Sequence, residues 1–213
     1  MAIAPGTTLA DYLVPTRESR TLNLVRDAAL IIGFSLFVAL CAQVSLQLSF
    51  TPVPVTLQTL GVLLTGAALG SKRGGLAMLL YLAEGSAHLP FFAGGTGGFP
   101  LFTGGYLFGF VIAAFVVGWL CERGLDRSLF TSAIAMLPGS IIIYLVGAFW
   151  LGIALLRNPA VARAFGMSHV TVSGVIALGI TPYLIGDLLK LIVAALLLPA
   201  AWALVRRVKG TRA

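Results

Sequence analysis

Hydrophobic positions along this chain come in long unbroken runs, separated by short breaks of polar, glycine or proline residues. The runs lack the strict alternation of a membrane β-strand, and backbone groups in a bilayer must be satisfied within the chain, so the runs predict transmembrane helices. Span one covers roughly Ala28 to Ser49. Pro52 and Pro54 then impose an extended backbone from Phe50 to Gln58, a stiff outer loop, before helix resumes. Span two follows to Leu69, the turn Gly70-Ser71-Lys72-Arg73-Gly74 reverses the chain, and span three runs from Gly75 to about His88. Both are short against the roughly 20 residues a bilayer needs, so flanking loops or longer helices supplement them. Span four is Gly105 to Leu120, span five Leu129 to about Leu156 with a kink at Pro138-Gly139, and span six Pro182 to Val205 with Pro199 inside it. The apolar patch Val170 to Ile180 is interrupted by Gly174 and Gly179 and suits a re-entrant or peripheral segment better than a crossing.

Composition agrees with the pattern. Of 213 residues, 59% are hydrophobic and only 10% charged, with a mean hydropathy of +1.02. That leaves too little polar surface for a soluble globule, so the chain is expected to be an all-α integral membrane protein. It is read as one membrane domain over 1–213, with a polar N-terminal tail over 1–21, a six-helix bundle over 28–206 and a tail over 207–213. Span one is read as a retained helix rather than a cleaved signal peptide, because of its length and because no soluble domain follows it.

The formal charge of +7 changes the topology rather than the function class. Basic residues sit at the ends of apolar runs and form no stripe with interleaved aromatics, so no nucleic acid is expected. With six crossings and the N-terminus inside, cytoplasmic segments hold Arg17, Arg20, Arg26, Lys72, Arg73, Arg123, Arg127, Arg206, Arg207, Lys209 and Arg212. Only Arg157 and Arg163 fall outside. A seventh crossing would reverse the C-terminal tail, so both termini are expected on the cytoplasmic side of the membrane. Cys41 and Cys121 have no CxxC spacing and no nearby His, which predicts neither a disulfide framework nor a metal site.

Against this apolar background, Thr181-Pro182-Tyr183-Leu184-Ile185-Gly186-Asp187-Leu188-Leu189-Lys190 stands out, because it sets an acid and a base inside a span. Thr181 before Pro182 reads as a helix start. Asp187 then lies about 8 Å in, with Lys190 one turn deeper on the same face as Tyr183. Either the two charges only lower each other's insertion cost, or they face a watery cavity where a ligand meets them. A second constellation runs from Phe91 to Tyr106 and interleaves six glycines, Gly97 and Gly98 among them, with aromatics. Such a loop serves flexibility and tight packing, or close backbone approach to a ring-bearing solute. Glu84 and His88, four apart, read as interfacial residues or as a proton-relay or metal pair. In span one, Ala29 with Gly33 and Ser35 with Ala39 form small-residue pairs that suit either internal packing or contact with another subunit.

Several activities are excluded by motif. No G-x-x-x-x-G-K-[ST] occurs, so the chain is not expected to hydrolyse ATP. There is no H-E-x-x-H, no acidic pair with His and no Ser or Cys beside a base, so binding is expected rather than catalysis, with no cofactor.

The stretches Pro52-Val53-Pro54-Val55-Thr56-Leu57-Gln58-Thr59-Leu60-Gly61, Gly66-Ala67-Ala68-Leu69-Gly70 and Leu89-Pro90-Phe91-Phe92-Ala93-Gly94-Gly95 resemble the BioY family. Thr103-Gly104-Gly105-Tyr106 and Asp187-Leu188-Leu189-Lys190 fit it too. The chain departs from the family's pattern at Leu101-Phe102, where Gly-Pro is usual, and its glycine loop differs in length. The resemblance implies the S-component fold of energy-coupling factor (ECF) transporters in a prokaryotic cytoplasmic (inner) membrane, biotin as the transported ligand bound near the outer face, a membrane-embedded coupling (T) protein and two cytoplasmic ATPases. It implies a ligand set of Asp187, Lys190, Tyr183, Thr56, Gln58, Gly97, Gly98, Tyr106 and Tyr144, and a partner face at Ala29, Gly33, Ser35 and Ala39. A homo-oligomer, an S component for another small vitamin, and a membrane enzyme acting on a lipid-soluble substrate are the other readings.

Overall fold

The computed structural model describes residues 7–210, with side chains to 207. Its helices are α1 (Leu9–Leu13), α2 (Arg20–Gln43), α3 (Gln58–Leu69), α4 (Ser71–Ser86), α5 (Gly104–Cys121), α6 (Leu129–Arg157), α7 (Pro159–Ala164), α8 (Val172–Gly179) and α9 (Leu184–Gly210). The all-helical expectation needs one amendment. Two short strands, β1 (Ser45–Leu46) and β2 (Val55–Thr56), pair antiparallel and close the loop between α2 and α3. Pro52 and Pro54 cannot donate to a ladder, and the pairing starts just past them.

Four stretches are long and apolar enough to cross a membrane: α2, α5, α6, and Val172–Arg207, which takes in α8 and most of α9. The helices α3 and α4, with 12 and 16 residues, rise only about 18 and 24 Å. Burial explains how α3 stays so short. It presents Val62, Leu63, Ala67 and Leu69 to the core almost without exposure, while α2 turns Ile32, Leu36 and Leu40 outward. A helix that is apolar all round belongs in the middle, with longer helices around it.

The reversal between α3 and α4 is tighter than the five-residue turn read from the sequence. Gly70 alone makes it, at φ +85°, a left-handed conformation that costs glycine nothing. Ser71 to Gly74 are already helical. The next turn of α5 passes this reversal at backbone contact, since a Cβ on Gly118 would come within 2.3 Å of the Gly70 carbonyl carbon. Glu122, just past α5, accepts the Ser71 N–H at 2.7 Å, so the positive end of α4 is capped from a neighbouring helix.

Residues 1–6 lie outside those described, and the part of the N-terminal tail that follows them carries α1. Thr8 and Asp11 form a reciprocal capping box on α1, and Leu9 and Ala10 are buried. Asp11 then accepts from Arg26 at 2.7 Å and from Arg73 at 2.8 Å. Burial alone would raise the Asp11 carboxyl, but the hydrogen bonds from Arg73, Arg26 and Thr8 outweigh it and hold the group well below the usual carboxylate range. At the other terminus, α9 continues to Gly210 beyond the expected Val205. Trp202, fully buried, packs edge-on against Tyr12 and donates to Asp126. The starts of α2 and α4, the α5–α6 connection and the end of α9 therefore meet at one end of the bundle, which collects Arg26, Arg73, Arg127 and Arg206.

Two further boundaries differ from expectation. Span one is shifted, since α2 begins at Arg20, capped by Ser19, and stops at Gln43. Span six opens with a 3₁₀ turn over Thr181–Tyr183, and Thr181 does not cap it. Its hydroxyl donates backwards to the Ile176 carbonyl at 3.3 Å. The patch 170–180 contains α8, whose eight residues rise only about 12 Å. His88 also finds a local role. At φ +70° it ends α4, with its own N–H on the Gly85 carbonyl and the Leu89 N–H on the Glu84 carbonyl, the paired bonds of a Schellman motif.

Candidate ligand-binding cavity

At the end of the bundle away from the arginines lies a cavity of about 270 Å³, just below the roughly 300–1,000 Å³ common for ligand sites. Its walls come from several elements. The loop before α3 gives Pro52, Val53, Pro54 and Thr56; α3 gives Gln58 and Thr59; α5 gives Tyr106, Leu107 and Phe110; α6 gives Ile143 and Tyr144; the 3₁₀ turn before α9 gives Tyr183, and α9 gives Asp187 and Lys190. The segment between α4 and α5 closes the mouth with Phe92, Thr96 and Pro100 to Thr103.

Asp187 and Lys190 stand one turn apart on α9, as their spacing predicts, and both side chains are 12% exposed. The Lys190 ammonium donates to Asp187 Oδ1 at 2.6 Å. Two hydroxyls complete the group. Tyr144 donates to Asp187 Oδ2 at 2.6 Å. Thr59 donates to Oδ1 at 3.2 Å and accepts from Lys190 at 3.1 Å. An ammonium has three donors and a carboxylate about four acceptor positions. Two donors of Lys190 and three acceptor positions of Asp187 are engaged, so the pair keeps one N–H and one lone pair for the cavity. Bracing and presentation are thus compatible: the charges hold each other and still offer a neighbouring donor and acceptor.

The other expected residues divide. Tyr106 and Tyr183 line the cavity with their rings, but their hydroxyls are spent elsewhere, Tyr106 on the Gly179 carbonyl at 2.8 Å and Tyr183 on the Val53 carbonyl at 2.6 Å. Sharing a helix face with Asp187 did not make Tyr183 its partner. Gln58 is buried and its amide is held from both sides, accepting from Thr56 at 2.9 Å and donating to Tyr81 at 2.6 Å, with one N–H and one lone pair left over. Tyr81 passes its own proton to the Phe91 carbonyl at 3.0 Å. Thr56 and Gln58 therefore fix the wall that they form.

Gly97 and Gly98 do not line the cavity. A Cβ on Gly97 would strike the His88 carbonyl at 2.7 Å, and Gly98, at φ +85°, lies against the His88 ring. These glycines pack the loop onto the end of α4, and the bulky residues on either side of them reach the cavity. Thr59, which links Asp187 to Lys190, was missed as a site residue although it lies in the quoted motif. Its only signal was its place beside Gln58 in the first turn of α3. The small-residue pairs of span one also separate. Ser35 and Ala39 are buried against the chain's own core and cannot form an outer contact. Ala29 and Gly33 are exposed beside an apolar groove that they line with Phe34, Phe37 and Leu197. Among the described residues no group of three or more His, Cys, Asp or Glu gathers to hold a metal.

Comparison with known proteins points one way. Residues 14–207 match the family model described as BioY family. A curated biotin transporter BioY of Rhizobium etli is 34% identical over 183 residues, covering 81% of this chain and 90% of that one. The biotin transporter BioY of Rhodobacter capsulatus is 39% identical over 171 residues, covering 75% of this chain and 87% of that one. Among solved structures, the S-component for biotin from an ECF-type ABC transporter matches with a TM-score of 0.68 at 24% identity, over 91% of this chain and 95% of that chain. That last likeness is one of fold.

Proposed function

Because this chain belongs to the BioY family, we propose that it is the biotin-binding membrane subunit of an ECF-type uptake transporter, capturing biotin at the outer face for release to the cytoplasm. The observation that carries the reading is the remaining hydrogen-bond capacity of the charged pair. By count Lys190 keeps one N–H and Asp187 one lone pair, and both residues line a largely apolar cavity. The ureido edge of biotin offers the complement, a carbonyl oxygen next to an N–H. Its sulfur ring and aliphatic chain suit walls made of Phe92, Phe102, Phe110, Tyr106 and Pro52, where burial of apolar surface drives binding.

On this reading α2, α3, α4, α5, α6 and α9 cross the membrane and α8 does not. The arginine-rich end faces the cytoplasm with both termini, and the cavity faces outward. The family reading pairs the chain, which carries no ATPase motif of its own, with a membrane-embedded coupling protein and two cytoplasmic ATPases. The exposed groove beside Ala29 and Gly33 suits the first of these partners, because small residues let helices approach closely in lipid.

Biotin binding to the purified subunit tests the assignment. A hydrogen bond to a charged group contributes about 1.5–3 kcal/mol, so Asp187→Asn and Lys190→Ala are each expected to weaken biotin at least about tenfold. The comparison uses variants that insert and elute as the parent does. Unchanged affinity in both would overturn the assignment of the pair.

A further inference from the structure

Outside the ligand wall, yet tied to it, lies a buried hydrogen-bonded group centred on Thr51. Thr51 is fully buried and does not line the cavity. Its hydroxyl accepts from the Val53 N–H at 3.2 Å, a local turn that spans Pro52, and donates to the Leu178 carbonyl of α8 at 2.8 Å. Its backbone carbonyl accepts from Gln47 at 3.0 Å. Tyr183, in the 3₁₀ turn that makes the α8–α9 corner, donates to the Val53 carbonyl at 2.6 Å, and its oxygen lies 3.1 Å from that of Thr51.

Both partners of this group are structurally exposed to failure. Leu178 and Gly179 are the last residues of α8, whose carbonyls have no partner within the helix. Thr51 takes the first and Tyr106 the second. Gly179 has to be small there, since a Cβ would stand 2.5 Å from the Tyr106 hydroxyl. On the other side, Pro52 and Pro54 have no N–H, so the wall loop holds few bonds of its own. Two hydroxyl protons, from Thr51 and Tyr183, thus join the loop Pro52–Pro54 to the corner from which α9 carries Asp187 and Lys190.

We infer that Thr51 is a positioning residue for the ligand cavity: its hydroxyl clamps the Pro52–Pro54 wall to the α8–α9 corner, fixing the distance between that wall and the Asp187–Lys190 pair. The inference rests on the reading that this cavity binds biotin. It separates Thr51 from a residue that fills space, because the hydroxyl and not the methyl makes the clamp.

The test compares Thr51→Val, which keeps the shape, with Thr51→Ser, which keeps the hydroxyl. A stranded buried carbonyl and a freed loop predict that Thr51→Val weakens biotin about tenfold, chiefly by faster dissociation, while Thr51→Ser stays within about threefold of the parent. A second arm needs no biotin. In a Cys41→Ala, Cys121→Ala background, a Leu48→Cys reporter, half-buried on the loop, is labelled with a maleimide, and labelling is expected to be several-fold faster with Thr51→Val and unchanged with Thr51→Ser. If Thr51→Val does not fold, Tyr183→Phe takes its place in the labelling arm, with faster labelling expected there too. Parent-like labelling in whichever of these variants folds overturns the inference, as does a loss in Thr51→Ser equal to that in Thr51→Val. A parent that does not bind biotin, with the labelling difference intact, upholds the clamp and overturns the biotin reading instead.

Discussion

Thr59 contributes to the charged pair out of proportion to its size. One hydroxyl accepts from Lys190 and returns its proton to Asp187, so it orients both charges at once. Replacing it by the isosteric Val removes an acceptor from an ammonium and a donor from a carboxylate, each already largely removed from water. Thr59→Val is expected to weaken biotin about tenfold and Thr59→Ser to restore it, measured by equilibrium binding to purified protein. A parent-like Thr59→Val would mean that α9 fixes the pair unaided. Asp187 and Lys190 were legible in the sequence because a charge inside an apolar run demands a reason and i,i+3 spacing names the partner. Thr59 and Thr51 were not, since a threonine costs little in a helix or loop and nothing in its surroundings marks it. Tyr183 misled for a related reason: helix periodicity says which way a ring points, while the fate of its hydroxyl depends on the loop that happens to face it.

The elements that hold the cavity in place are packed backbone to backbone, and there the fold is least tolerant. Gly118 on α5 meets the Gly70 turn so closely that a methyl group would sit 2.3 Å from a main-chain carbon, where neither side can move without shifting α3 or α4. Gly33 on α2 has nothing within 4 Å of such a methyl. Gly118→Ala is therefore expected to cost about 1–3 kcal/mol by overpacking, seen as a lower melting temperature in detergent. Gly33→Ala is expected to be neutral or slightly stabilising through its better helix propensity. Equal melting temperatures for the two would refute this account of the α3–α4–α5 junction. Apolar runs and proline punctuation announced the long helices well, because lipid imposes a composition. They could not show the one-residue turn at Gly70 or the burial of Ser35 and Ala39, since both depend on which helix stands alongside, and small residues look the same whether they face a neighbour in the chain or one outside it.

At the scale of the molecule, the helices sort charge to one end and the cavity to the other. Following the chain, α2 leads from Arg26 to Gln43 beside the cavity mouth, α3 returns to Gly70 and Glu122, α4 goes back to His88, α5 returns to Cys121, α6 rises to Trp150 against Leu101, and α9 descends from Asp187 to Trp202. Each reversal therefore alternates between the two ends. The shortness of α3 and α4 is the one point of tension, as about 18 and 24 Å fall below the roughly 30 Å of hydrocarbon. Burial of α3 behind α2, α5 and α9 relieves it for that helix, because a helix covered by others need not match the lipid thickness itself, whereas α4 turns Leu76 and Leu79 outward and relies on the segments that flank it. Site-directed labelling with a membrane-impermeant maleimide tests both the crossings and their direction, in cells expressing the Cys41→Ala, Cys121→Ala chain. Ala87→Cys, at the exposed end of α4, is expected to react in intact cells, and Lys72→Cys, at the start of α4, only after the membrane is permeabilised. The reverse pattern would invert the topology. A Lys72→Cys that reacts in neither condition would instead show that α3 and α4 form a hairpin ending within the bilayer, and the arginine-rich end would then need another explanation for its gathered charge.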